Sequence, residues 1–181
     1  MIRSAILTVL TATLVAGCAG PIETRIMTQA AAPLPDKQTY DFGSVAEQDN
    51  ELYRAARELV DSALKSRGFR TAENASTLVD LTLADRPADI AIRVGEATQE
   101  LVLADVKAQK PLQSCKDREH RLTITFADRV SGAMLYSGTA AEYHCKGTIE
   151  ESLPHLVRGA MAEFGSGSGT RQFVRTRSGV E

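Results

Sequence analysis

The strongest constraint on the fold is a run near the C-terminal third in which two alternating apolar stretches flank a turn signal. Leu122, Ile124 and Phe126 alternate with polar residues on one side, Met134 and Tyr136 on the other, and Asp128-Arg129-Val130-Ser131-Gly132 lies between them. Period-two alternation around Asp, Ser and Gly predicts an antiparallel hairpin. Centring it on Val130 places Phe126 opposite Met134, Ile124 opposite Tyr136 and Leu122 opposite Gly138, so the apolar residues share one face. The same register sets Cys115 opposite Cys145. A hydrophobic pattern that independently brings two thiols together predicts a Cys115–Cys145 disulfide.

That prediction needs an oxidising compartment, and the N-terminus supplies one. Arg3 gives a short positive region, and Ile6 through Val15 form an apolar core too short to span a bilayer but suited to a signal peptide. Ala16-Gly17 precede Cys18, and Leu14-Val15-Ala16-Gly17-Cys18 resembles a bacterial lipobox. The resemblance implies cleavage between Gly17 and Cys18 and acylation of Cys18, with Ala19 rather than Asp after the cysteine implying the outer membrane. The expectation is a signal over residues 1–17 and a lipidated cysteine with a flexible tether over 18–38. The single domain is expected over 39–175, and a polar tail over 176–181. Acyl chains anchor without spanning, at about 0.8 kcal/mol per buried methylene.

Within the domain, Thr39 to Phe42 reads as a first strand. From Asp49 or Asn50 to Arg67, Leu52, Ala56, Leu59, Val60, Ala63 and Leu64 recur at helical spacing, with Gly68 as the stop. Val79, Leu81 and Leu83 against Ile90, Ile92 and Val94 read as a hairpin turning at Asp85-Arg86-Pro87. Leu101 to Val106 adds a short strand. Thr148 to Phe164 carries a second apolar stripe with Thr148 and Glu151 as a capping box; Pro154 predicts that its regular part starts near Ser152 or Leu153. Gly165 to Gly169 closes that helix, and Gln172-Phe173-Val174 returns as a last strand. These elements make an α+β fold, a largely antiparallel sheet with two amphipathic helices on one face.

Few residues invite chemistry. Asp80, Asp85 and Asp89 lack the order of a calcium loop, and the glycines at 165–169 follow a helix rather than open one and have no accompanying phosphate-binding lysine. Cys115, His120, His144 and Cys145 lack the close paired spacing of zinc modules, and His155 stands on a helix without a ligand partner. With 21 basic and 23 acidic residues scattered along the chain, nothing points to nucleic acid. No catalytic set, metal site or cofactor is expected. The remaining enzymatic reading is a hydrolase using carboxylates on the sheet, such as Glu119 and Glu142. The leading one is a non-catalytic module for an envelope protein or small ligand, held to the membrane by its lipid.

Taken together, the lipobox, Tyr40-Asp41-Phe42, the helix ending Lys65-Ser66-Arg67-Gly68-Phe69, the Leu122–Asp128 and Leu135-Tyr136 hairpin and the Phe164–Gly169 run resemble the bacterial lipoproteins of domain-of-unknown-function family 4136. Gly165 stands where proline is usual, and Tyr136 where tryptophan is common. The resemblance implies an antiparallel sheet packed by helices and an envelope location, and it supplies no catalytic residues.

Overall fold

Alternation of apolar and polar side chains organises most of the chain into strands. The computed structural model describes residues 22–31, 38–43, 50–94, 101–109, 113 and 115–175. Gly17, Cys18, the expected signal and the tail over 176–181 lie outside the described residues. Among the described residues, strands β1 (Ile22–Ala30), β2 (Thr39–Phe42), β3 (Arg70–Thr71), β4 (Thr77–Pro87), β7 (Arg118–Asp128), β8 (Met134–His144) and β9 (Gly169–Arg175) form one sheet in the order β3-β2-β4-β7-β8-β1-β9. Only β2 runs parallel to its neighbours, β3 and β4; every other pair is antiparallel. Strands β5 (Ile92–Val94) and β6 (Leu101–Ala104) pair separately. Helices α1 (Glu51–Lys65) and α2 (Ile149–Ala160) complete the α+β architecture.

Both helices bury their stripes against the row containing Val79, Leu81, Leu122, Ile124, Phe126, Tyr136 and Ala140, with Ala56, Val60 and Leu64 from α1 and Leu153, Leu156 and Ala160 from α2. Asn50 caps α1 by accepting from the Tyr53 amide at 2.8 Å, and Gly68 takes the left-handed conformation at φ +86° that ends it. Around α2 the Thr148–Glu151 capping box forms, so the helix starts at Ile149 rather than near Ser152 or Leu153, and it ends at Ala160 rather than Phe164. Pro154 is exposed. Solvent can therefore reach the turn where the proline omits its hydrogen bond.

Three expectations need correction. The stretch read as a tether contains β1, with Ile22, Thr24, Ile26 and Thr28 buried in alternation, and it lies between β8 and β9. Threonine at inward positions disguised the period in an Ala- and Thr-rich segment. Next, β4 does not turn at Asp85-Arg86-Pro87; it runs through all three and pairs along its length with β7, while Ile92–Val94 pairs with β6. Val79 and Leu81 are buried against the core while Ile90 stays 53% exposed, which is the physical reason the two runs do not form one face.

The β7–β8 hairpin forms, but shifted by two residues: Phe126 pairs with Tyr136, Ile124 with Gly138 and Leu122 with Ala140, with Leu135 bulged opposite the step from Phe126 to Ala127. The turn explains the shift. The Asp128 carboxylate accepts from the amides of Val130 and Ser131 and from the Ser131 hydroxyl, and Gly132 sits at φ +70°, so the loop is wider on its C-terminal side than a symmetric turn. A two-residue shift keeps every side chain on its face. Cys115 and Cys145 are bonded, with Cα atoms 5.5 Å apart, just beyond the ladder that ends at Arg118 and His144.

Gly138 fixes how closely α2 approaches. A Cβ there would lie 1.8 Å from the Ala160 carbonyl oxygen, which also accepts a 2.7 Å hydrogen bond from the Tyr136 hydroxyl. Gly138→Ala must push the helix away, and equilibrium urea unfolding is expected to show a loss of at least about 1–3 kcal/mol. Opening the Cys115–Cys145 bond, which closes a 30-residue separation, is expected to cost about 3–4 kcal/mol in the same assay with and without reductant.

Candidate functional site

The inward row of the β7–β8 ladder is apolar from Phe126 to Leu122 and then turns polar. His120 pairs with Glu142 across the ladder, Asp85 of β4 lies opposite His120, and Thr24 of β1 lies opposite Glu142. Period two aims these side chains toward α2, whose first turns bring Ser152 over them. His120, Glu142, His144 and Ser152 are all buried. Glu142 accepts from Thr24 Oγ1 at 2.5 Å and from Arg175 Nε and Nη2 at 3.1 and 2.7 Å, and its Oε2 lies 2.9 Å from His144 Nε2. Ser152 Oγ lies 2.8 Å from His120 Nδ1 and 3.0 Å from His144 Nε2. The two imidazoles stack with centroids 4.7 Å apart.

This constellation holds structure rather than poises a nucleophile. Burial by itself would raise the Glu142 carboxyl, but hydrogen bonds from His144, Arg175 and Thr24 outweigh it and hold the group at about 2. An ionised carboxylate only accepts, so His144 Nε2 must carry the proton shared with Glu142, and that nitrogen cannot also take one from Ser152. A serine base needs its carboxylate on the other ring nitrogen. His120 does use both nitrogens, yet Asp85 is 3.7 Å from its Nε2 and instead accepts from Arg118 at 2.6 Å. Burial and the neighbouring His144 lower the His120 pKa. Ser152 has no exposed surface.

Glu119 sits one residue from His120 and therefore on the opposite face. It is fully buried and holds Arg86 and Arg121 at 2.6 Å and Arg25 at 3.4 Å. Burial raises its carboxyl, but Arg121, Arg86 and Arg25 together bring it below the ordinary value. Glu119 and Glu142, the pair on which a hydrolase reading rests, thus lie on different faces, Glu119 held by three arginines and Glu142 by Arg175, His144 and Thr24. Among the described residues no group of three or more His, Cys, Asp or Glu side chains is arranged to hold a metal ion.

Open space lies beside the polar cluster, between α2 and the β1–β9 edge. A polar recess of about 470 Å³ is lined by Ile22, His144, Lys146, Glu151, His155 and Arg175. It shares His155 and Arg175 with a slot of about 290 Å³, floored by Ile26, Gly159, Ala162, Phe173 and Val174 and edged by Arg67 and Arg158. His155, Arg158, Gly159 and Ala162 follow helical spacing along one side of α2 and its exit, which is why they face β9 together. Burial, then Arg175 and Arg158, lower the His155 pKa against the opposing pull of Glu142. The sequence places His155 on a helix without a ligand partner and carries no signal that brings Arg175 or Ser152 to a site. Only the short Gln172-Phe173-Val174 run signalled this wall.

The fold has relatives among solved structures. It is similar to a PDZ domain protein from Parabacteroides distasonis, with a TM-score of 0.56 at 9% identity, over 86% of this chain. The chain spans 39% of that protein's length. A PelC dodecamer from Paraburkholderia phytofirmans aligns over 76% of this chain and 96% of its own at a TM-score of 0.46 and 13% identity. No family model matches the chain, and no curated protein matches it. Among the described residues no helix is long and apolar enough to cross a membrane.

The buried cluster predicts loss of stability in acid. A histidine whose folded pKa is depressed stabilises fully above its ordinary 6.5 and loses that contribution as pH falls through the folded value, and His120 and His155 are both of this kind. Glu142, lowered from 4.5 to about 2, loses its contribution between those values. Urea unfolding from pH 8 downward should therefore weaken in two stages, below about 6.5 and again below about 4.5. Glu142→Gln should shrink the second stage, leaving the share carried by Glu119, and destabilise at neutral pH by about 3–5 kcal/mol, because Arg175 is left buried without its counter-charge.

Proposed function

We propose that this chain is a lipid-anchored envelope lipoprotein, acylated at Cys18 and held at the periplasmic face of the outer membrane. Its domain is a non-catalytic binding module for a small envelope component or a protein. The anchor follows from the lipobox ending in Cys18, and the location from Ala19 and the resemblance to the family 4136 lipoproteins. The Cys115–Cys145 bond suits an oxidising compartment.

The observation that carries the binding reading is the recess and slot between α2 and β9, which together offer a polar end and an apolar end within one concavity. Ligand sites are typically concave, mostly apolar and equipped with a few convergent polar groups. The two carboxylates of the hydrolase reading are instead apart and locked in ion pairs, and Ser152 is shielded, so none of these three groups is placed to attack a substrate.

Native mass spectrometry of the full chain tests both parts. The protein is taken from a two-membrane bacterium without reductant, in an amphiphilic polymer rather than detergent. The expected mass is the chain from Cys18 plus acyl groups, less the hydrogens of one disulfide, carrying a bound species that Phe173→Asp removes. An unacylated or unprocessed chain would overturn the anchoring. A bound species indifferent to Phe173→Asp, or none at all, would overturn the groove as its site.

A further inference from the structure

The slot beside α2 has a composition that narrows its ligand. Its floor is apolar: Ile26 from β1, Gly159 and Ala162 from α2 and its exit, and Phe173 from β9. Phe173, on the inward face of β9 with Arg175, remains 48% exposed, unusual for a large apolar residue at the wall of a concavity with nothing over it in the described chain. Among the described residues its charged lining consists of Arg67, Arg158 and Arg175 with His155, and includes no carboxylate. Arg175 is committed to Glu142, and Arg67 donates to the carbonyls of Ala63 and Met161. These contacts fix two of the three guanidinium groups in place. The slot's volume, about 290 Å³, lies near the lower end of the range for small-molecule sites.

Burial, and then Arg175 and Arg158 against the opposing Glu142, push His155 toward its neutral form. The recess that continues the slot adds Lys146, and its one carboxylate, Glu151, is occupied in accepting from the Thr148 amide at 3.2 Å. An apolar channel ending among cations matches a molecule that is apolar along its length and anionic at one end.

We infer that the slot binds an amphipathic anion, a single acyl chain lying against Ile26, Gly159, Ala162 and Phe173 with its acidic head where Arg158, His155 and Arg175 meet. This rests on reading the α2–β9 groove as the binding site and specifies its ligand class. The head is a carboxylate or a phosphate ester; the chemistry shared by both is a negative charge joined to a chain. A neutral chain of equal length leaves Arg158 without an anionic partner, and an anion without a chain leaves Phe173 bare.

The test uses dodecanoate carrying a diazirine near its tail, photolysed with the full acylated chain in phosphatidylcholine nanodiscs, with the label mapped by peptide mass spectrometry. Mapping separates slot occupancy from partition into the bilayer. Label is expected on the peptides holding Ala162 and Phe173, displaced by unlabelled dodecanoate or lysophosphatidylglycerol and at least tenfold less well by dodecanol, a difference of about 1.4 kcal/mol. Whichever anion competes better identifies the head.

Arg158→Glu, at an exposed position, should keep the wild-type unfolding midpoint and reduce labelling about tenfold. Competition by dodecanol equal to that by dodecanoate, with Arg158→Glu labelled like wild type, would overturn the anionic ligand while leaving the groove a binding site. Labelling spread over the chain without enrichment at Phe173 would overturn the acyl ligand. If the species removed by Phe173→Asp in the native mass spectrum were still present in that case, the binding reading would survive with a different occupant.

Discussion

The backbone contact between α2 and β8 sets the geometry on which the rest depends. With no side chain at Gly138, the Ala160 carbonyl can settle onto the strand, and the Tyr136 hydroxyl holds it there at 2.7 Å. At the other end of the helix, Ser152 reaches both imidazoles. Pinned at two points about two turns apart, α2 cannot rotate without breaking a buried hydrogen bond. Its remaining side, from His155 to Ala162, is thereby presented to β9 at a fixed distance, and the slot between them exists because the helix is held against β8.

The polar end of this arrangement is a costly way to fill a core. Buried ion pairs repay their desolvation only when geometry and additional hydrogen bonds are complete, and Glu142 meets that condition with Thr24, His144 and Arg175 arranged around it. Glu119 meets it on the other face with three arginines. Strand alternation sends neighbouring residues of β7 to these separate networks. The one beneath α2 ties β1, β7, β8, β9 and the helix together through side chains. Arg175, at the end of β9, belongs both to that network and to the wall of the groove, so the structural network also positions the proposed binding surface.

Much of the fold was legible because local pattern decided it. Helix α1 follows its apolar stripe and its Asn50 and Gly68 signals, and the Cys115–Cys145 bond followed from the β7–β8 pattern. The pairing used to predict that bond was off by two residues, since the Asp128 loop is asymmetric, and the bond survived the error because the chain bends between Cys115 and Arg118. Long-range pairing was not legible. Strand β1 inserts between β8 and β9, more than a hundred residues away in sequence, and no local signal in Ile22–Ala30 names those neighbours. Strand β4 chose the distant β7 over an adjacent run for the same reason. The site inherits this: Thr24, Ser152, and the β9 pair Phe173 and Arg175 come from three segments that only the tertiary fold assembles.

Hydrogen–deuterium exchange on the full chain as isolated from the envelope, compared with the same chain after extraction of bound molecules and refolding, addresses the central claim most directly. If the groove between α2 and β9 is where this protein holds its ligand, removing the occupant will accelerate exchange in Gly169–Arg175 and in the exit of α2 and leave β4, β7 and β8 unchanged. Equal exchange in both samples, or a change confined to the face around Glu119, would contradict it.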